Sequence, residues 1–265
     1  MLETYLILAA VMAGFWVISI PLGKVSFIDS LWGLGFVIAA WAAFYTTTAG
    51  SFDFAALGPN QIAILALVSL WGLRLSVYLL NRFLKDGEDK RYVRMTAGKE
   101  GISRHIFTLW FVFGLQSVLI MLIGLPVVRT ILGEPQPLDV LAFIGIGLWA
   151  LGAFFEWVGD WQLSRFKADP ANEGKVMDKG LWAWTRHPNY FGDACLWWGL
   201  WFISGDIYTV WAPALMTFLL MKWSGVPLLE KGLKKRRPEY ADYIARTSGF
   251  IPMPPKKAPI ADAAE

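Results

Sequence analysis

The stretch Gly180-Leu181-Trp182-Ala183-Trp184-Thr185-Arg186-His187-Pro188-Asn189-Tyr190-Phe191-Gly192-Asp193 is a polar, basic loop that runs straight into the apolar segment 194–204. Pro188 suits the first turn of a helix, where its missing N–H leaves no bond unmade. The spacing then puts Asn189 and Asp193 one turn apart on the same face. Arg186 and His187 fall just outside the helix N-terminus, where backbone N–H groups and the dipole favour an anion. The string therefore reads as a phosphate-holding element at the mouth of a membrane. It reads equally as a capped helix start with Arg186 reaching for lipid headgroups.

Working outward, the rest of the chain agrees with a membrane setting. Of 265 residues, 56% are hydrophobic and only 17% charged, with 15 Trp, and the charges crowd into a few loops. Seven apolar runs have about the 20 residues that a bilayer core requires. They lie at 4–23, 29–49, 60–82, 106–127, 138–158, 188–205 and 207–227. The first has no basic flank or clear cleavage site and reads as a span, not a signal peptide. Basic residues concentrate after the first, third, fifth and seventh runs, whereas the other connections hold only Arg129. The positive-inside rule then puts the N-terminus outside and the C-terminus in the cytoplasm. The expectation is an all-α polytopic membrane protein, one seven-helix domain over 1–252, with a Pro- and Ala-rich disordered tail over 253–265.

Several chemistries lose support at this point. The net charge of +3 is a membrane-orientation bias and not a nucleic-acid signature. A single cysteine, Cys195, forms no intrachain disulfide, and two histidines build no histidine-rich metal site. Gly145-x-Gly147 lies inside a span and follows no strand, so it marks close helix packing and not a dinucleotide fingerprint.

Charged groups within spans are costly and tend to mark function. Asp29 opens the second span, either as an N-cap or as a cavity residue. Arg74 and Tyr78 lie one turn apart in the third; a buried Arg requires an anionic partner from a neighbour or a bound phosphate. Glu156 and Asp160 lie one turn apart at the end of the fifth, where Arg165 and Lys167 offer an alternative ion network. With Asp193, these groups come from separate spans yet fall at one depth. That pattern predicts a polar cavity open to the cytosol.

The residues so far resemble the bacterial members of the steroid 5α-reductase family, the DUF1295 class of membrane proteins. The resemblance runs from Asp29-Ser30-Leu31-Trp32-Gly33 to Gly249-Phe250-Ile251-Pro252. Its most specific parts are Trp71-Gly72-Leu73-Arg74-Leu75-Ser76-Val77-Tyr78, the segment Arg186 to Asp193, and Arg236-Arg237-Pro238-Glu239-Tyr240 onward. It implies a monomeric protein of the bacterial inner membrane that holds NADPH on its cytoplasmic side. The implied reaction reduces the C=C bond of an enone lipid, such as a 3-oxo-Δ4-steroid, that enters from the bilayer. The implied cofactor residues are Arg74, Glu156, Asp160, Arg165, Lys167, Lys175, Arg186, His187, Asn189, Tyr190, Asp193, Arg236, Arg237, Tyr240 and Tyr243. Trp32 and Trp71 are the implied substrate contacts. The family's animal members use a Glu on the second span and a Tyr shortly before the Arg that corresponds to Arg74. Here Asp29 takes the place of the acid and Trp71 occupies the Tyr position, so Asp29 and Tyr78 are the expected catalytic pair, with Tyr45 another hydroxyl source.

The Arg-His-Pro-x-Tyr-x-Gly string, with Glu230 and Tyr240-x-x-Tyr243, also resembles isoprenylcysteine carboxyl methyltransferases, which use S-adenosylmethionine. The Asp29 and Arg74/Tyr78 segments belong to the reductase pattern and decide between the two.

Overall fold

In a computed structural model, which describes residues 1–223 and 225–256, the chain is helical and the described residues hold no β-strand. The first helices are α1 (Leu2–Leu22), α2 (Ile28–Thr47) and α3 (Pro59–Asp86). They are followed by α4 (Lys90–Thr96), α5 (Gly101–Thr108) and α6 (Leu115–Ile123), the last two joined by a wide π-helical turn over Leu109–Gly114. Next come α7 (Leu125–Leu132), α8 (Val140–Ala168), α9 (Leu181–Trp184) and α10 (Pro188–Ser204). Helix α11 (Trp211–Phe218) continues into a second wide turn over Leu219–Trp223, before α12 (Val226–Arg236) and α13 (Tyr240–Arg246). Among the described residues, five stretches are long and apolar enough to cross a membrane: α1, α2, α3, Gly101–Ile123 and α8. The sixth expected span is α10, whose 17 residues extend about 25 Å at 1.5 Å per residue. The seventh is divided between α11 and the wide turn.

Boundaries shift where local chemistry differs from hydropathy. The fourth expected span starts at Gly101 and closes at Ile123, and the chain restarts as α7 because Pro126 suits a first helical turn. The fifth runs past 158 to Ala168, since no breaker intervenes before Asp169-Pro170. Arg165 and Lys167 thus lie on the last turn of α8, where cations complement the helix dipole, and not in the following loop.

The chain forms two compact units, Met1–Phe143 with Leu200–Ala212, and Ile144–Gly199 with the segment that begins at Pro213. The first is packed around Leu8, Ile28, Phe36, Phe44, Ile64, Trp71, Phe113 and Ile120, each at most 2% exposed. Burying each such side chain contributes roughly 1.5–3 kcal/mol. Helices α2 and α3 approach through glycine: a Cβ on Gly33 would lie 2.4 Å from the Gly72 carbonyl oxygen. The same unit fastens α7 through Gln61, whose amide donates to the carbonyls of Thr130, Ile131 and Gly133.

The second unit repeats this device. A Cβ on Gly192 of α10 would lie 2.5 Å from the Gly152 carbonyl oxygen of α8, and one on Gly199 would lie 2.6 Å from that of Gly145. Gly145 is thus the close-packing residue that the sequence predicts, whereas a Cβ on Gly147 would meet nothing within 4 Å. The segment after α13 is tied down at two points: Met253 N–H donates to the Trp184 carbonyl of α9 and Lys256 N–H to the Arg246 carbonyl at the end of α13. The rest of the expected tail, 257–265, lies outside the described residues.

Candidate active-site residues

The stretch 180–193 is built as the sequence predicts at its helical end and differently in its basic part. Pro188 is the first residue of α10. Gly180 takes a left-handed φ of 61° that turns the chain into α9, and the Leu181 N–H is caught by Gln162. Thr185 is extended and donates its hydroxyl to the Phe250 carbonyl, while Arg186 N–H donates to Ser248. The Arg186 guanidinium is held by protein: Nε donates to Glu230 Oε1 at 2.8 Å and Nη1 to the Thr247 carbonyl at 2.6 Å. His187 Nε2 lies 3.1 Å from the same Glu230 oxygen, and its ring stacks on Tyr190 with centroids 5.6 Å apart.

Burial by itself would raise the Glu230 carboxyl, but hydrogen bonds from His187 and Arg186 and the Arg186 charge prevail and hold it at about 2. Tyr240 is pushed up to about 12, by burial first and then by the Glu230 charge. Tyr243 is raised further, chiefly by burial, and its hydroxyl donates to the Trp182 carbonyl at 2.6 Å. Arg186, His187, Glu230, Tyr240 and Tyr243 therefore form one knot that fixes the turn into α10.

Next to this knot in sequence, α10 carries a different pair. Asn189 Nδ2 donates to Asp160 Oδ1 of α8 at 3.2 Å. Asp160 and Glu156, one turn apart on α8, are each only 3% exposed. Asp193 is half-buried one turn beyond Asn189. Of the cations expected at the cofactor, Arg165, Lys167, Lys175 and Arg236 are exposed. Half-buried Arg237 bonds the Lys175 carbonyl, and Arg165 lies 5.4 Å from the Trp161 ring centroid.

In the first unit, Arg74 and Tyr78 are half-buried near the middle of α3, and the guanidinium sits 5.0 Å from the Tyr78 ring centroid. Trp71 is fully buried with its ring 5.7 Å from Phe36, and Trp32 meets Phe36 edge-on at 5.5 Å. Tyr45 is exposed near the C-terminal end of α2, far along the helix from Asp29.

Asp29 is not an N-cap, because Phe27 takes that position and Asp29 is the second helical residue. Its carboxylate accepts from Tyr92 O–H at 2.6 Å and Arg91 Nη2 at 2.7 Å, and Arg82 is 3.7 Å away. The same loop returns the contact. Glu88 accepts from the backbone N–H groups of Val25 and Ser26 and from the Ser26 hydroxyl at 2.8 Å. Asp89 caps α4 and binds Arg91, which holds the Asp89 carboxyl below its ordinary range against the effect of burial. Tyr92 is pushed well up, by burial first and then by Asp29. Tyr92, Arg91 and Glu88 are missing from the expected site, because Glu88-Asp89-Lys90-Arg91-Tyr92 reads as one more charged cytoplasmic loop. The available signal is an aromatic residue placed within a charged run, two acids followed by bases.

Residues 15–247 match the family described as "Protein of unknown function (DUF1295)". No curated protein and no solved structure matches the chain.

Proposed function

We propose, from the premise that the chain belongs to the DUF1295 family, that it is an NADPH-dependent reductase of an enone lipid, with a 3-oxo-Δ4-steroid as the reference substrate. In this reading it crosses the bilayer seven times, with its N-terminus outside and its C-terminus in the cytoplasm. The observation that carries it is the buried Asp160–Asn189 pair beside Glu156. A buried carboxylate is costly unless it is paired, and here the Asn189 carboxamide donates to it. The pair presents acceptor and donor atoms side by side, which suits the hydroxyls and carboxamide of a nicotinamide nucleoside better than a phosphate. Exposed Arg165 and Lys167 on the last turn of α8 suit the phosphates, including the 2′-phosphate that distinguishes NADPH.

Asp160, Asn189, Arg165 and Lys167 would hold NADPH, which would supply the hydride for the β-carbon of the enone. The rest falls to the chain. Negative charge develops on the ketone oxygen and requires a donor. Tyr78 carries a hydroxyl, and the Arg74 guanidinium against its ring supplies positive charge nearby. Asp29 accepts from Tyr92 and Arg91. Trp71 is fully buried against Phe36, so half-buried Trp32 is the flat apolar surface left to meet a steroid.

The test is cofactor binding to purified protein, read by quenching of NADPH fluorescence, followed by turnover of progesterone. Asn189→Ala and Asp160→Ala are expected to weaken NADPH binding at least about 10-fold, the loss of one or two hydrogen bonds to a polar ligand. Unchanged binding in folded variants would sink the assignment. S-adenosylmethionine binding in place of NADPH would favour the methyltransferase resemblance.

A further inference from the structure

We propose that a cavity at the α3 N-terminal end of the first unit binds the zwitterionic headgroup of a phospholipid, a phosphate diester that carries a primary ammonium. The site belongs to that unit alone and draws nothing from the nucleotide residues. The cavity holds about 240 Å³, between the start of α3, the end of α7 and the loop that follows α10; Asn60, Arg129, Glu134, Gln136, Ser204 and Asp206 line it. Its depth is set by α3. Asn60 stands 22 positions before Arg82, the neighbour of Asp29, or about 33 Å at 1.5 Å per residue. A bilayer's hydrocarbon core is about 30 Å thick. With α3 crossing it, the cavity lies at headgroup level, one membrane thickness from the Asp29 cluster.

The donors suit a phosphate. Asn60 is 5% exposed, and its Oδ1 accepts from the Gln136 N–H at 3.0 Å, which fixes the carboxamide. Among the described residues its Nδ2 has no hydrogen-bond partner. An amide donor left unmade at that burial is costly, and a ligand oxygen in the cavity removes the cost. Asn60 also lies in the first turn of α3, where the helix dipole favours the same anion. Arg129 Nε donates to Asp206 Oδ2 at 2.5 Å, which holds the guanidinium in place. Neither Nη has a partner among the described residues, and that fork matches two phosphate oxygens.

The counter-charge decides against a bare phosphate. The lining carries two carboxylates, Asp206 and Glu134, against one guanidinium, so an anion alone would add to an excess of negative charge. A ligand with its own cation balances it. Exposed Glu134 has no ion-pair partner among the described residues and is the carboxylate left for an ammonium. Quaternary ammonium groups are recognised by aromatic faces, and among the described residues no aromatic side chain lines the cavity. The chemistry therefore fits a primary ammonium with N–H donors. A simple pin between α7 and the loop after α10 needs only Arg129 and Asp206 and gives the Asn60 donor no use.

The experiment titrates the purified, delipidated full chain in detergent with dioleoyl phosphatidylethanolamine, phosphatidylcholine or phosphatidylglycerol, and native mass spectrometry reads the lipid retained. The three share their acyl chains, so differences report the headgroup. Wild type is expected to hold phosphatidylethanolamine at least about 10-fold more tightly than the other two. Asn60→Asp keeps the acceptor for Gln136 but replaces the donor with an acceptor, and is expected to lose about 10-fold in that affinity. Glu134→Gln is expected to narrow the preference about 3-fold. Equal retention of the three lipids by wild type would overturn the proposal, as would a preference that both variants keep. Should Asn60→Asp lower the thermal midpoint of the lipid-free protein, Glu134→Gln at its exposed position decides alone: a narrowed preference supports the site and an unchanged one overturns it.

Discussion

The Asp29 cluster of the first unit and the Glu230 cluster of the second each set a carboxylate between donors from far along the chain, and the two differ in how much water they keep. Around Glu230, the side chains of Arg186 and Glu230 are 12% and 11% exposed, and His187 on the same oxygen is 3% exposed. Around Asp29, the side chains of Arg91 and Asp29 are 48% and 22% exposed. The chemical parts are almost the same. Their uses differ because a dry ion pair that loses one member strands the other charge, whereas a half-hydrated one lets water replace the missing partner. The Glu230 cluster is therefore a structural knot that must not move, and the Asp29 cluster has the slack that a working site requires.

Three measurements can break or sharpen that contrast. The largest effect belongs to Glu230→Ala, which leaves Arg186 and His187 without their carboxylate and is expected to cost about 3–5 kcal/mol of stability. Unfolding of the detergent-solubilised protein, followed by tryptophan fluorescence, reads it; a loss below about 1 kcal/mol would put the two clusters in one class. Acid comes next. The folded Glu230 carboxyl sits at about 2 against an ordinary 4.5, so its contribution is fully present above 4.5 and disappears as pH falls through about 2. Wild type should lose stability over that window, and Glu230→Gln should lose less, having no proton to take up; parallel curves would remove Glu230 from the account. The smallest effect is expected of Asp29→Asn. The new side chain still accepts from Tyr92, and Arg91 retains Asp89, so about 1 kcal/mol or less is lost. A cost like that of Glu230→Ala would show that the first cluster has no slack.

Much of the secondary structure follows from hydropathy and punctuation. Pro188 starts α10, Gly23 and Gly87 with positive φ close α1 and α3, and Gly145 lies where α8 meets α10. The candidate site is legible only in part. Asp160 and Asn189 lie 29 positions apart, and each reads from the sequence as a polar residue at a span end, yet nothing in their spacing says that they bond each other. Arg186 and His187 look like anion ligands because a helix start follows them, whereas Glu230, 44 and 43 positions on, is the anion that they hold. Tyr92 escapes notice for the converse reason: its neighbours are charged, so its burial is invisible until α4 folds back against α2.

What the sequence by itself determined is what depends on a residue's near neighbours: helices of membrane length, and the prolines and glycines at which several of them start or close. Apolar periodicity and backbone punctuation act within a few turns, so a linear reading captures them. Only the tertiary structure decided which carboxylate each cation meets, and with how much water. A salt bridge is selected by distance and desolvation across packed helices, and those are fixed by contacts such as Gly33 against Gly72, in which two glycines 39 positions apart let the backbones touch.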